Sequence, residues 1–176
     1  MVPTVIRAAT HHDLPALGKL GALLMRMHHA FDQQRFLPPG DDPESGYAWF
    51  LGTQLNEPDV AIFVAELDGK VQAYIYAALE PMSWKELRGP AGFIHDIVVA
   101  ESARGSGVAP QLLEAARSWL AERGAPRVIL WTAAQNRIAL SLFAKSGFRQ
   151  TMIEMTLELD GGDAEAAAKP AEPRSD

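Results

Sequence analysis

Two apolar runs, Val60-Ala-Ile-Phe-Val-Ala-Glu-Leu67 and residues 70–79, meet at Asp68-Gly69. Asp-Gly is a two-residue turn whose twist matches that of paired strands, so the two runs form an antiparallel hairpin. That ribbon excludes an all-helical fold and sets the frame for the flanking segments. Upstream the apolar spacing is helical. A short strand at Val5–Ala8 leads to Thr10, an N-cap with Asp13 at capping-box distance, and Pro15 is tolerated in the first turn. Leu14, Leu17, Leu20 or Gly21, Leu24, Met27 or His28, and Phe31 then make one stripe, which Pro38-Pro39-Gly40 ends. Asp42-Pro43-Glu44 opens a second helix that buries Tyr47, Phe50, Leu51 and Leu55.

Downstream, residues 92–99 read as a third strand of the sheet. A helix starts near Val108, carries Leu112, Ala115, Ala116, Trp119 and Leu120 inward, and stops at Gly124. Residues 127–132 are a strand, 137–146 a short helix ended by Gly147, and 148–159 a final strand. The order is β-α-α-β-β-β-α-β-α-β, a mixed α/β fold with a partly antiparallel central sheet flanked by helices and a βαβ crossover in its second half. A chain of 176 residues fits one domain, taken as residues 1–159. Residues 160–176, DGGDAEAAAKPAEPRSD, have no aromatic or β-branched side chain to bury and read as a disordered acidic tail.

The absence of cysteine excludes a disulfide scaffold, a thiolate nucleophile and a zinc ribbon. No stretch reaches membrane-spanning length, and MVPTVIRAAT lacks the apolar run of a signal peptide, which leaves the cytoplasm as the expected compartment. The net charge of −6 argues against nucleic acid as a partner. It is unevenly spread: residues 32–68 carry −7, residues 101–150 carry +4, and the tail carries −3.

The chemistry concentrates in Ile97-Val-Val-Ala-Glu-Ser-Ala-Arg-Gly-Ser-Gly-Val-Ala109, a strand, a small-residue turn and a helix start. A helix N-terminus presents unpaired N–H groups and partial positive charge, and glycines admit a ligand close to the backbone. The segment suits a phosphate, or it is a plain βα connection that packs tightly. There is no Gly-Lys-Ser/Thr, so it is not a Walker loop. Gly105-Ser-Gly107-Val-Ala-Pro110 ends in proline with no acidic residue closing the next strand, so a dinucleotide fingerprint is excluded too.

Arg104-Gly-Ser-Gly107-Val-Ala109 resembles the Arg/Gln-x-x-Gly-x-Gly/Ala pyrophosphate loop of the GCN5-related N-acetyltransferase (GNAT) superfamily, and Asn136-Arg-Ile-Ala139 with Phe143 and Gly147-Phe148 resembles its Asn-x-x-Ala…Tyr…Gly-Phe segment. The likeness covers roughly residues 4–159. It implies the acyl-CoA N-acyltransferase fold and acetyl-CoA as cosubstrate. The backbone of Arg104, Gly105, Ser106, Gly107, Val108 and Ala109 would hold the pyrophosphate. Pantetheine would add to the strand at Ile97, Val98 and Val99, with Asn136 on its amides and Phe143 at the place of the family tyrosine. Lys145 or Arg149 would offset phosphate charge, which gives the basic block a reason.

An amine attacks a thioester only when neutral, so a base is needed, and the resemblance puts the oxyanion donor at the Val99 N–H. His95 or Asp96 is the candidate base; alternation along a strand turns only one of them to a given face. Glu66 is a third candidate. Phe143 has no hydroxyl, so Tyr74, Tyr76, Ser141 or a water protonates the thiolate, or it leaves unassisted, at little cost for a thiol whose pKa is near ~8.5. His28-His29 and His11-His12 read as solvated or groove-lining histidines rather than metal sites, since helix neighbours project about 100° apart and do not chelate one ion easily. Trp49 and Trp84 are candidates for the acceptor groove or plain packing residues, and the acidic span 32–68 either draws a cationic acceptor there or is a solvated acidic surface. The expected acceptor is a small-molecule or protein amine. The alternative is a CoA-binding regulatory or sensor module with little catalysis. The apolar–polar alternation of residues 151–159 suggests a homodimer that completes the sheet edge.

Overall fold

A computed structural model of the protein describes residues 4–159. The tail assigned to residues 160–176 lies outside them. The elements are β1 (Val5–Ala8), α1 (Leu14–Phe31), α2 (Pro43–Gln54), β2 (Val60–Leu67), β3 (Lys70–Glu80), β4 (Ala91–Val99), α3 (Val108–Glu122), β5 (Val128–Leu130) and α4 (Arg137–Lys145). The strands lie in the order β1-β2-β3-β4-β5. The first four are antiparallel, and β5 joins β4 in parallel after the α3 crossover. Mixed α/β architecture is thus what the sequence rhythm predicts.

The central strand β3 shows why both faces need cover. Ala73, Ile75 and Ala77 face α3, where they meet Val108, Leu112, Ala116 and Leu120. Tyr74 and Tyr76 face the other way, toward Leu17 and Leu20 of α1 and Leu51 of α2. Leu17, Leu51, Leu112 and Leu120 are fully buried, each worth about 1.5–3 kcal/mol relative to exposure. The N-terminal corner is closed by charge. Arg7 grips Asp13 with two bonds of 2.8 Å and also holds Glu66. The guanidinium, aided by the Thr10 N–H, pulls the Asp13 carboxyl down to about 2. Glu66 is therefore engaged by Arg7 of β1.

Two expectations change. The fifth strand shrinks from 127–132 to Val128–Leu130. The final strand at 148–159 is absent: among the described residues, 151–159 form no strand. Ile153, Met155, Leu157 and Leu159 are about four-fifths exposed, and the segment is tied down by Arg35, whose Nη2 donates to Glu154 Oε2 at 3.0 Å. Alternation signals a face suited to burial, but it does not supply the partner strand, and a three-residue β5 offers little edge to pair with.

Candidate active site

The site begins where two strands part. β4 pairs with β5 only over Gly92, Phe93 and Ile94, so Ile97, Val98 and Val99 run on beyond the end of the ladder. Ala100 donates its N–H to Gln72 on the β3 side at 2.8 Å. Backbone groups alternate sides along a strand, so the Ile97 and Val99 N–H and C=O groups point into the gap. An extended ligand finds an open strand edge there. Val98 does not contribute to it, because its backbone faces β3 and its side chain is buried beside Tyr74.

At the end of β4 the chain turns through Gly105 and Gly107, at φ +78° and +80°, into α3. Those angles belong to the left-handed region that glycine tolerates without steric cost. Gly107 caps α3 without any side-chain acceptor, which leaves the first N–H groups of the helix, at Val108 and Ala109, for an anion. Ser106 turns its hydroxyl inward to the Ala103 carbonyl, and Arg104 stays exposed. Asn136 caps α4 by accepting from Ala139 N–H at 3.1 Å, which keeps its amide NH2 for the gap. Asn136, Ala139 and Phe143 line the same cavity as Ile94, His95, Asp96 and Ile97. Lys145 and Arg149 are exposed on the α4 side. This cradle of free N–H groups, left-handed glycines and exposed bases fits a pyrophosphate followed by an amide-bearing arm.

The opposite wall of the cavity, whose volume is about 410 Å³, comes from Leu24 and His28 of α1, Arg35, and Tyr47 of α2. Here β4 carries a bulge. Tyr76 is opposite Asp96 while Ala77 is opposite Ile94, so His95 is the extra residue. Ile94, Ile97 and Val99 face the α3 side, and Val98 faces the α1–α2 side. The bulge resets the alternation and turns both His95 and Asp96 toward α1 and α2. Strict alternation predicted only one of them on that face.

Asp96 Oδ2 accepts hydrogen bonds from Tyr47 at 2.7 Å and Tyr74 at 2.9 Å. Enclosure by protein raises the carboxyl above its ordinary value, and the two phenol donors pull against that. The same burial, with the Asp96 charge, pushes Tyr47 and Tyr74 upward, so both phenols stay protonated and donate. Tyr47 reaches Asp96 because α1 carries Gly21 beneath its ring; a Cβ there would lie 2.0 Å from Tyr47 Cδ1. His95 stacks between Phe93, with ring centres 4.7 Å apart, and Tyr76 at 4.8 Å. It also borders a second cavity of about 420 Å³ lined by Gln54, Glu57, Asp59 and Glu80.

The candidates for the proton donor fare differently. The Tyr74 proton is committed to Asp96, and Tyr76, pushed up to about 12 by burial, donates to Gln54 Oε1 at 2.9 Å. Ser141 is exposed and outside the cavity lining. Phe143 is buried against Phe148. No side-chain acid stands in for the missing hydroxyl among the described residues lining the cavity's α4 wall. Trp49 and Trp84 project into solvent and line neither cavity, whereas Trp131 lines the first and meets Phe93 edge-on. Tyr47, read in the sequence only as an inward helix residue, lines the cavity and holds Asp96, a contact that periodicity concealed.

A model of the acetyltransferase (GNAT) family matches residues 24–148. An N-alpha-acetyltransferase of Sulfurisphaera tokodaii is 31% identical over 134 residues, 73% of this chain and 80% of the relative. The uncharacterized N-acetyltransferase YhfO of Bacillus subtilis is 28% identical over 148 residues, 82% of this chain and 89% of its own. Among solved structures, the aminoglycoside N-acetyltransferase AAC(6')-Iy in complex with CoA aligns with a TM-score of 0.71 at 21% identity, over 91% of this chain and 97% of that one. A mutant of the BH1408 protein of Bacillus halodurans aligns at 0.73 and 21%, over 88% and 99%. These structural likenesses speak for the fold.

Proposed function

Because the chain belongs to the GNAT acetyltransferase family, we propose a division of roles within an acetyl-CoA-dependent N-acetyltransferase: Asp96 seats a cationic primary amine and His95 takes its proton. The cosubstrate supplies an activated acyl group, whose carbon bonds to the amine nitrogen while sulfur leaves with CoA. Arg104 to Ala109 hold the pyrophosphate through backbone N–H groups, with Lys145 and Arg149 as outlying charge. Ile97 and Val99 hydrogen-bond the pantetheine arm, Asn136 supports it with its amide, and Phe143 packs against it. The Val99 N–H takes the charge that develops on the acyl oxygen.

The bulge at His95 and Asp96 is the observation that carries this reading. It brings a carboxylate for a cation and an imidazole for its proton to one wall of one cavity. Imidazole is the side chain whose ordinary range lies around neutral pH, which suits proton removal from an ammonium. The acidic rim formed by Glu57, Asp59 and Glu80 favours an acceptor that is positively charged, whether a small molecule or a protein amine. The thiolate leaves without a side-chain acid, assisted at most by water.

The decisive assay follows free CoA thiol on a panel of amines that includes polyamines, aminoglycosides and peptides. Thiol release with one class and not with neutral alcohols supports the reading. Tight acetyl-CoA binding with no thiol release on the whole panel would instead make the chain a CoA-binding regulatory module. Among the described residues no helix is long and apolar enough to cross a membrane. A homodimer covers the alternating apolar residues of 151–159, and light scattering after size exclusion reads that directly.

A further inference from the structure

His95 is gripped from the side away from the cavity wall that holds Asp96. Its Nε2 lies 3.0 Å from Glu80 Oε1. The other oxygen, Glu80 Oε2, accepts from Arg88 Nη2 at 2.6 Å. Arg88 is itself fixed on three counts. Its Nη1 donates to the Pro81 carbonyl at 2.9 Å, its main chain bridges Ser83 in both directions at 3.0 and 3.1 Å, and its side chain is only 10% exposed. The turn between β3 and β4 is thus built around one arginine that holds one carboxylate against one imidazole. The ring has little freedom to swing, since Tyr76 and Phe93 cover its two faces. With Nε2 turned to Glu80, Nδ1 is the nitrogen left for an incoming amine.

We propose that Glu80 is a positioning residue for His95, fixing the ring's orientation and tautomer, with Arg88 as the anchor of Glu80. The inference rests on His95 as the base. The carboxylate stands 3.0 Å from Nε2, where it orients the ring and faces the charge that forms as His95 accepts the proton of the amine. Other charged or titratable groups face the ring. Asp96 neighbours it on β4, Tyr76 on β3, Glu57 and Asp59 stand across the second cavity, and His28 and Arg35 across the first. Of these, Glu80 is the carboxylate within ion-pair distance.

The test separates the inference from the reading beneath it. Glu80→Gln keeps the shape of the side chain and removes its charge. Imidazole nitrogen NMR on the free protein then reads which ring nitrogen of neutral His95 carries the proton, without any turnover. The expected result is the Nε2–H tautomer in the native protein and a mixture of tautomers in Glu80→Gln, whose amide can present either its oxygen or its nitrogen. The plateau of kcat should fall about tenfold with the KM for acetyl-CoA unchanged, because a less fixed base transfers the proton more slowly. Arg88→Met should lower kcat with the KM for acetyl-CoA unchanged, and Glu86→Gln, which alters Arg88 from its other side, should leave the His95 tautomer in place. Glu80→Gln in a His95→Gln background should cost nothing further. An unmoved tautomer and an unmoved kcat in Glu80→Gln would overturn the role of Glu80. Full turnover in His95→Gln would overturn His95 as base, while the tautomer would still report whether Glu80 governs the ring.

Discussion

Replacing Tyr47 by Phe removes one oxygen and leaves the ring over Gly21, so the perturbation falls on the hydrogen bond to Asp96. That bond is 2.7 Å long and ends on a carboxylate enclosed by protein. Hydrogen bonds to a charged group contribute about 1.5–3 kcal/mol, against about 0.5–1.5 kcal/mol to a neutral one. The loss should therefore depend on pH. In the native state the Asp96 carboxyl is raised above its unfolded value of 3.8, so between the two values the native protein holds the extra proton. Stability then rises as pH falls through the native value, since protonation relieves a buried charge. Without Tyr47 the native value rises further, and the relief on acidification grows. Urea unfolding followed by tryptophan fluorescence should show Tyr47→Phe about 2 kcal/mol less stable at neutral pH. Once Asp96 is protonated, the deficit should shrink toward about 1 kcal/mol. An equal deficit at both pH values would refute the reasoning, because it would mean that Tyr47 acts by packing and not through the Asp96 charge.

Other substitutions probe the remaining parts. Gly107→Ala forces a side chain into φ +80°, at a cost of about 1–2 kcal/mol, and should raise the KM for acetyl-CoA roughly tenfold with kcat little changed. His95→Gln and Asp96→Asn should each lower kcat by about a hundredfold in the thiol-release assay, leaving acetyl-CoA affinity by calorimetry as it is. Gly21→Ala drives a Cβ into the Tyr47 ring and should lower stability by about 1–3 kcal/mol, read as a shift of the thermal midpoint, together with a loss of turnover.

What could be read in the sequence was local. Asp68-Gly69 announces its hairpin, Asp42 its cap, and the glycines at 105 and 107 their left-handed turn, because each acts on the residues beside it. The turn and helix start at residues 104–109 were legible for the same reason. The bulge at His95 was not. Phe-Ile-His-Asp-Ile-Val-Val has no insertion mark, and a register shift is a relation between two strands; the sole hint is a polar pair inside an apolar run. Tyr47 to Asp96 spans 49 residues, and His95 to Glu80 crosses a turn of irregular shape, so neither pair follows from spacing. Residues 151–159 failed in the opposite sense: their alternation is clear, but what covers them is not encoded beside them.

The early end of β5 has a consequence for how the enzyme can change. In the proposed roles the donor substrate is met at Ile97, Val99 and residues 104–109 by main-chain groups, which, apart from the left-handed glycines at 105 and 107, every residue except proline supplies alike. The proposed acceptor wall is made of side chains: Tyr47, His95, Asp96 and residues of α1. Substitutions on the acceptor wall can thus alter what is acetylated without disturbing how the acetyl donor is held. The two halves of the reaction stand on opposite sides of one strand and are free to drift at different speeds.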